Sequence, residues 1–119
     1  MHFVVQQWRR VRYAVRGLVF ALKFDRSVRV ALYGLGSISA IAIAITQPVT
    51  QEEFLILVMA YMLILITEIQ NSALEYALDH LHPETHDNIG RSKDLAAAAV
   101  LIASTLYCIV VGTLIVSRL

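Results

Sequence analysis

The stretch FLILVMAYMLILITEIQNSALEYALD, residues 54–79, decides the fold. Its first half, Phe54 to Ile66, is almost unbroken hydrocarbon, and its second half carries Glu68, Asn71, Ser72, Glu75 and Asp79. The polar residues fall three, four, seven and eleven positions after Glu68, so on a helix they share one face. An apolar segment this long reads as membrane-spanning. Carboxylates in a bilayer are costly and usually face a site rather than lipid. The stretch therefore predicts a transmembrane helix that does chemistry, or moves ions, at a membrane boundary.

The rest of the chain agrees with a membrane setting. It has 119 residues, 58% of them hydrophobic, and a mean hydropathy of +0.66. That is too apolar for an ordinary soluble domain. The length allows one all-α domain, residues 1–119, of three membrane helices and an N-terminal arm. Seven cations precede residue 30: Arg9, Arg10, Arg12, Arg16, Lys23, Arg26 and Arg29. A membrane-surface reading of that arm is stronger than a nucleic-acid one, because a hydrophobic span follows it directly. Residues 1–29 lack an uninterrupted apolar core and a small-residue cleavage site, so no cleavable signal peptide is expected. Cys108 is single and sits in an apolar run, which argues against a disulfide or a zinc knuckle.

Outward from the deciding stretch, Phe3, Trp8, Val11, Val15, Leu18 and Leu22 share a broad face, which predicts an amphipathic surface arm over 1–27. Asp25-Arg26-Ser27 interrupts it. The first span is expected over about 28–46, with Gly36, Ala40 and Ala44 at the spacing that lets helices approach closely in lipid. Thr50 and Glu53 form a capping-box pattern ahead of the second span, about 54–79. Ser92 is expected to cap the third, about 93–116, after a polar connection containing Pro83 and Gly90. The arm and the 80–94 connection hold nearly all the cations, and the 47–53 turn holds none. The positive-inside rule then puts the N-terminus and that connection in the cytoplasm. Asp25, the Glu68–Asp79 stripe and Lys93-Asp94 converge on that side.

Carboxylates beside a lysine at an interface suit a divalent cation and phosphate. Mg²⁺ takes one or two carboxylates plus phosphate oxygens, and a lysine can hold phosphate as a point charge. A carboxylate near a hydroxyl can act as its base. No GxxxxGK[ST] loop and no protein-kinase signature is present, so no general nucleotide motif points to ATP.

The run Glu68-Ile-Gln-Asn71-Ser72-Ala73-Leu-Glu75-Tyr-Ala-Leu-Asp79, followed by Lys93-Asp94 and a string of small residues, resembles the prokaryotic diacylglycerol kinase family, which includes the undecaprenol kinases. The resemblance covers about residues 13–116. It implies an integral-membrane lipid kinase, typically a homotrimer, in the bacterial cytoplasmic (inner) membrane, with active sites between protomers at the cytoplasmic face. ATP would be co-substrate and Mg²⁺ the metal. Glu68 would be the catalytic base and, with Ser72, would meet the lipid alcohol. Glu75 and Asp25 would hold the metal, and Asn71, Lys93, Asp94, Glu75, Asp25 and Tyr13 would contact ATP. The family usually has Glu where this chain has Asp25, and often an acidic or polar residue where this chain has Ala31. The acceptor reads as diacylglycerol, slightly favoured, or undecaprenol: Gly90-Arg91-x-Lys93-Asp94 points to the former, His82-Pro83-Glu84-x-His86 to the latter.

Plainer readings stand beside these. The stripe could staple helices together, although two carboxylates would repel in that role. Lys93-Asp94 could be only an interfacial helix start. His80, His82 and His86 read as a solvated loop, because Pro83 breaks the regular spacing of a helical metal site. A rival from another class is a small proton-coupled transporter using Glu68 and Glu75. Glu68 lies about 21 Å along the helix from Phe54, near the inner edge of a core about 30 Å thick, which favours interfacial chemistry.

Overall fold

The computed structural model describes residues 1–84 and 86–119. The polar connection expected over His80–Arg91 includes Thr85, which lies outside the described residues. Among the described residues the chain is all helix. Helix α1 is His2–Phe24, α2 is Arg26–Ile45, α3 is Gln51–Leu81 and α4 is Asp87–Val116.

Asp25 makes the corner between α1 and α2. Its backbone is extended, with φ −108° and ψ 108°, and its carboxylate accepts the Val28 N–H at 3.2 Å. It is thus the N-cap of α2. Arg29 closes the same corner from the other side. Its guanidinium donates to the carbonyls of Leu22 and Lys23 at 3.4 and 2.9 Å, satisfying the last turn of α1.

Within α2 the turns widen to π-helical geometry over Val30–Leu35. Hydroxyls from the neighbouring helices take up carbonyls of this segment. Tyr61 of α3 donates to Leu32 O at 2.6 Å, and Tyr107 of α4 donates to Leu35 O at 2.9 Å. Ser39 joins Tyr107 at 2.6 Å. In a hydrocarbon setting such carbonyls need partners from within the protein. Gly36 makes room for this: a Cβ there would lie 3.0 Å from the Tyr61 hydroxyl. The two tyrosines lock α2 in register against α3 and α4.

Helices α3 and α4 pack along their lengths. The core is a thin seam of Leu57, Ala60 and Ile64 from α3, Ala103, Tyr107 and Leu114 from α4, and Ala31 from α2. The outward faces are as apolar as the seam: Ile41, Met59 and Ile102 are 60%, 65% and 71% exposed. Such faces call for lipid or a further protein surface. Two helices, α2 and α4, are long and apolar enough to cross a membrane, with mean hydropathies of 1.8 and 2.4.

One sequence expectation is corrected. Ser92 does not cap α4. The helix starts at Asp87, where the His86 ring accepts the Asn88 N–H at 3.1 Å, and Ser92 lies inside it, bonded to Asn88 O. Asp87 in the first turn suits the helix dipole, which favours the earlier start. Of the small residues of α2, Gly36 faces Tyr61, while Ala40 and Ala44 lie exposed on the surface of the single chain.

The expected capping box at Thr50 and Glu53 is present, and each side chain meets the other residue's N–H at 3.1 Å. Glu53 also receives Arg118 at 2.8 Å. Arg118 donates further to Thr46 O and Pro48 O, each at 2.9 Å, tying the end of α4 to the α2–α3 turn. The Arg118 bond, then the Thr50 N–H, lower the Glu53 pKa from 4.5 to about 2. A depressed carboxyl stabilises the fold above its unfolded pKa and loses that contribution as pH falls through the folded value. The acid limb of thermal stability should therefore include a component between pH 4.5 and about 2. Replacing Arg118 with Met should lower the melting temperature at neutral pH and flatten that component. An unchanged acid limb in the variant would rule the clamp out as its source.

Candidate active site

At the end of the molecule away from this clamp, α1, α2 and α3 meet around the Asp25 corner. A cavity of about 240 Å³ lies there, lined by Phe24, Asp25, Arg26, Ser27, Ser72, Glu75, Tyr76 and Asp79. Ser72, Glu75 and Asp79 reach it because α3 continues past its apolar stretch and turns its polar stripe toward α2. Asp25 reaches it because the break in the chain stops α1 here. Lys93 of α4 does not line the cavity but is ion-paired with Asp79 at its edge. Of the residues the sequence pattern placed on one side, the cavity holds Asp25, Ser72, Glu75 and Asp79, and Lys93 reaches it only through Asp79.

An apolar groove of about 530 Å³ adjoins the cavity. Gly17, Leu18 and Phe20 of α1 form one side, Ile69, Ala73 and Tyr76 of α3 the other, and Asp25 and Ser72 stand at its polar end. Phe20 packs edge-on against Tyr76, with ring centroids 5.6 Å apart, and holds α1 against α3. Gly17 leaves the groove open, since a Cβ there would meet no atom within 4 Å.

Glu68 stands apart from Glu75, about 10 Å deeper along the α3 axis. It lines a separate cavity of about 300 Å³ with Arg26, Ser27, Val30, Ala31, Leu35, Ile64 and Ser104. Ser104 escaped the sequence reading, because nothing in the local pattern distinguishes it from its neighbour Thr105. Thr105 is exposed and donates to Leu101 O at 2.8 Å within its own helix.

Asn71 lies between the two levels. Its amide donates to Glu75 at 3.4 Å, and its buried Oδ1 has no partner. An orphaned carbonyl oxygen beside a carboxylate marks a place for an absent donor or cation. The cavity donors are all hard oxygens, which fits a cation such as Mg²⁺. Among the described residues no three acidic, His or Cys side chains are placed to hold an ion alone. A bound ion would need oxygens from elsewhere, as Mg²⁺ does when it takes substrate phosphates. Tyr13 and Asp94 are exposed and line neither this cavity nor that of Glu68. Within one chain they stand outside the group.

Comparison with known proteins meets this geometry. The model of the family described as prokaryotic diacylglycerol kinase matches residues 12–116. The diacylglycerol kinase of Escherichia coli (strain K12) is 40% identical over 70 residues, 59% of this chain and 57% of that protein. The Shigella flexneri diacylglycerol kinase gives the same figures. That of Haemophilus influenzae is 30% identical over 103 residues, 85% of this chain and 84% of that protein. The match thus spans little more than half the length of the Escherichia coli and Shigella relatives.

Proposed function

The chain belongs to the prokaryotic diacylglycerol kinase family, and from that premise we propose that it is an ATP-dependent lipid kinase with diacylglycerol as its acceptor. The observation that carries the reading is the cavity at Asp25, Glu75 and Asp79 opening onto the apolar groove beneath α1. Few acceptors need both an anionic, cation-ready pocket and a hydrocarbon channel at one point. A lipid alcohol lies along the groove and carries its hydroxyl past Asp25 and Ser72 toward Glu68. The triphosphate lies against the cavity, with Lys93 moving from Asp79 to phosphate as a point charge.

Glu75 and Asp25 would hold Mg²⁺, with the Asn71 carbonyl beside them. The ion would neutralise charge on the phosphate oxygens. Glu68 takes the proton of the attacking hydroxyl, and Ser72 orients the acceptor. Asp94 and Tyr13 contact ATP from a neighbouring protomer, which is why one chain leaves them outside its own cavity. The assembly is a homotrimer whose small faces, Ala40 and Ala44 among them, pack between copies.

The apolar part of α3 is the third membrane span, beside α2 and α4. Glu53 and Glu75 lie about 33 Å apart along α3, close to the thickness of a hydrocarbon core. The positive-inside rule sets the carboxylate end in the cytoplasm of a bacterial inner membrane, where ATP is available. In a Cys108→Ser background, a cysteine at Thr50 should react with an impermeant thiol reagent from outside intact cells, and one at Glu84 should not. The reverse pattern would separate the site from cytoplasmic ATP.

The activity test is transfer from γ-labelled ATP to a panel of lipid alcohols by the purified protein in micelles. Label on dioleoylglycerol is expected. Label on undecaprenol alone would change the acceptor but keep the chemistry. No label on any alcohol would sink the kinase reading and leave a transporter with Glu68 and Glu75 as carriers.

A further inference from the structure

The cavity at Glu75 and the cavity at Glu68 share one wall, and that wall is Arg26 and Ser27. A phosphoryl group that leaves a nucleotide at the first and reaches a hydroxyl activated at the second passes this wall. We propose that Arg26 is a catalytic residue whose guanidinium grips the phosphoryl group in transit. The inference rests on the kinase reading and adds a residue to it.

Three observations carry it. The first is position: Arg26 lines both cavities, whereas Glu75 and Asp79 line only one and Glu68 only the other. The second is freedom. The other cations of α2 and α4 near this end are engaged: Arg29 on the α1 carbonyls, Arg91 on Asn88 and Lys93 on Asp79. Among the described residues, ion pairs join only Lys93 with Asp79 and Arg118 with Glu53, which leaves the Arg26 guanidinium without a carboxylate partner. The third is charge. Asp25, Glu75 and Asp79 stand on one side of the path and Glu68 on the other. Four carboxylates and a phosphoryl group together carry more negative charge than Lys93 and one divalent cation would offset, so a further cation is needed on the path. A guanidinium offers two parallel N–H donors to two phosphoryl oxygens, which an ammonium does not.

The step balances as follows. The bond from the γ-phosphorus to the β,γ-bridging oxygen breaks, and ADP leaves with that electron pair. The bond from phosphorus to the acceptor oxygen forms, and the hydroxyl proton goes to Glu68. Arg26 forms its bonds to the equatorial oxygens, where charge is spread in the transition state.

The test uses the full chain in neutral-detergent micelles containing dioleoylglycerol, with no anionic lipid present. Wild type, Arg26→Gln and Arg26→Lys are compared at steady state, with thermal unfolding as the check on folding. The expected result for Arg26→Gln is a kcat about 10²-fold lower, with the KM for ATP moved by less than about threefold. Added guanidinium ion should restore part of the lost rate. Arg26→Lys keeps the charge but loses the fork, and should fall about tenfold in kcat. That variant carries the test if Arg26→Gln fails to fold. Wild-type kcat in Arg26→Lys overturns the proposal. So does a rise in the KM for ATP alone, which would make Arg26 a ground-state nucleotide ligand. A defect seen only when anionic lipid is added would make it a headgroup cation and overturn the proposal too. Failure of wild type to label any lipid is a separate result, which defeats the kinase reading itself.

Discussion

Glu75→Gln should lower turnover by about 10³-fold at limiting Mg²⁺, with the assembly and its melting temperature little changed. The substitution keeps the size of the side chain and its capacity to accept from Asn71, now 3.4 Å away. What it removes is charge. Glu75 is exposed to the cavity, so its removal leaves no hole in the core. A cation held by carboxylates and phosphate loses one of its few anionic ligands, and Asp25 has already committed one oxygen to the Val28 N–H. Steady-state transfer to dioleoylglycerol across a Mg²⁺ titration checks this. Near wild-type turnover at limiting Mg²⁺ would remove Glu75 from the metal site.

The features that could be read from the sequence are local ones. The stripe from Glu68 to Asp79 is visible because helical periodicity converts spacing directly into a shared face. The capping box at Thr50 is visible because its two partners are three residues apart. Asp25 reads as a break between helices for the same reason, and its capping role follows from the residues just after it. What escaped depends on register between helices. Tyr61 and Tyr107 look like ordinary aromatic residues in apolar helices. Only the packed structure shows them holding the carbonyls of Leu32 and Leu35. Ser104 gains its meaning from Glu68, thirty-six positions earlier, and Gly17 from the groove that α1 forms with α3. The start of α4 was misplaced for a different reason. The apolar run begins after Lys93, but a helix begins where its first amides find a cap, and His86 supplies it.

The stripe also hid a separation that the packing makes visible. Read as a pattern, Glu68 and Glu75 are two members of one face. In the fold they line different cavities, with Arg26 and Ser27 between them. On the proposed kinase reading, the carboxylate beside the nucleotide would suit a cation, whereas the one about 10 Å deeper along the helix would meet an acceptor arriving from the bilayer. Glu68→Gln should therefore behave unlike Glu75→Gln. Turnover should fall by about 10²–10⁴-fold, the usual contribution of a positioned general base. The KM for ATP and the Mg²⁺ dependence should stay close to wild type, because the lost interaction belongs to the transition state. Glutamine can still accept a hydrogen bond from the acceptor hydroxyl, so lipid binding should persist while proton removal stops. Parallel titrations of ATP, Mg²⁺ and dioleoylglycerol on the two variants separate the roles. A Glu68→Gln enzyme with unchanged turnover and a raised KM for ATP would make Glu68 a nucleotide ligand, and the acceptor would then need another base.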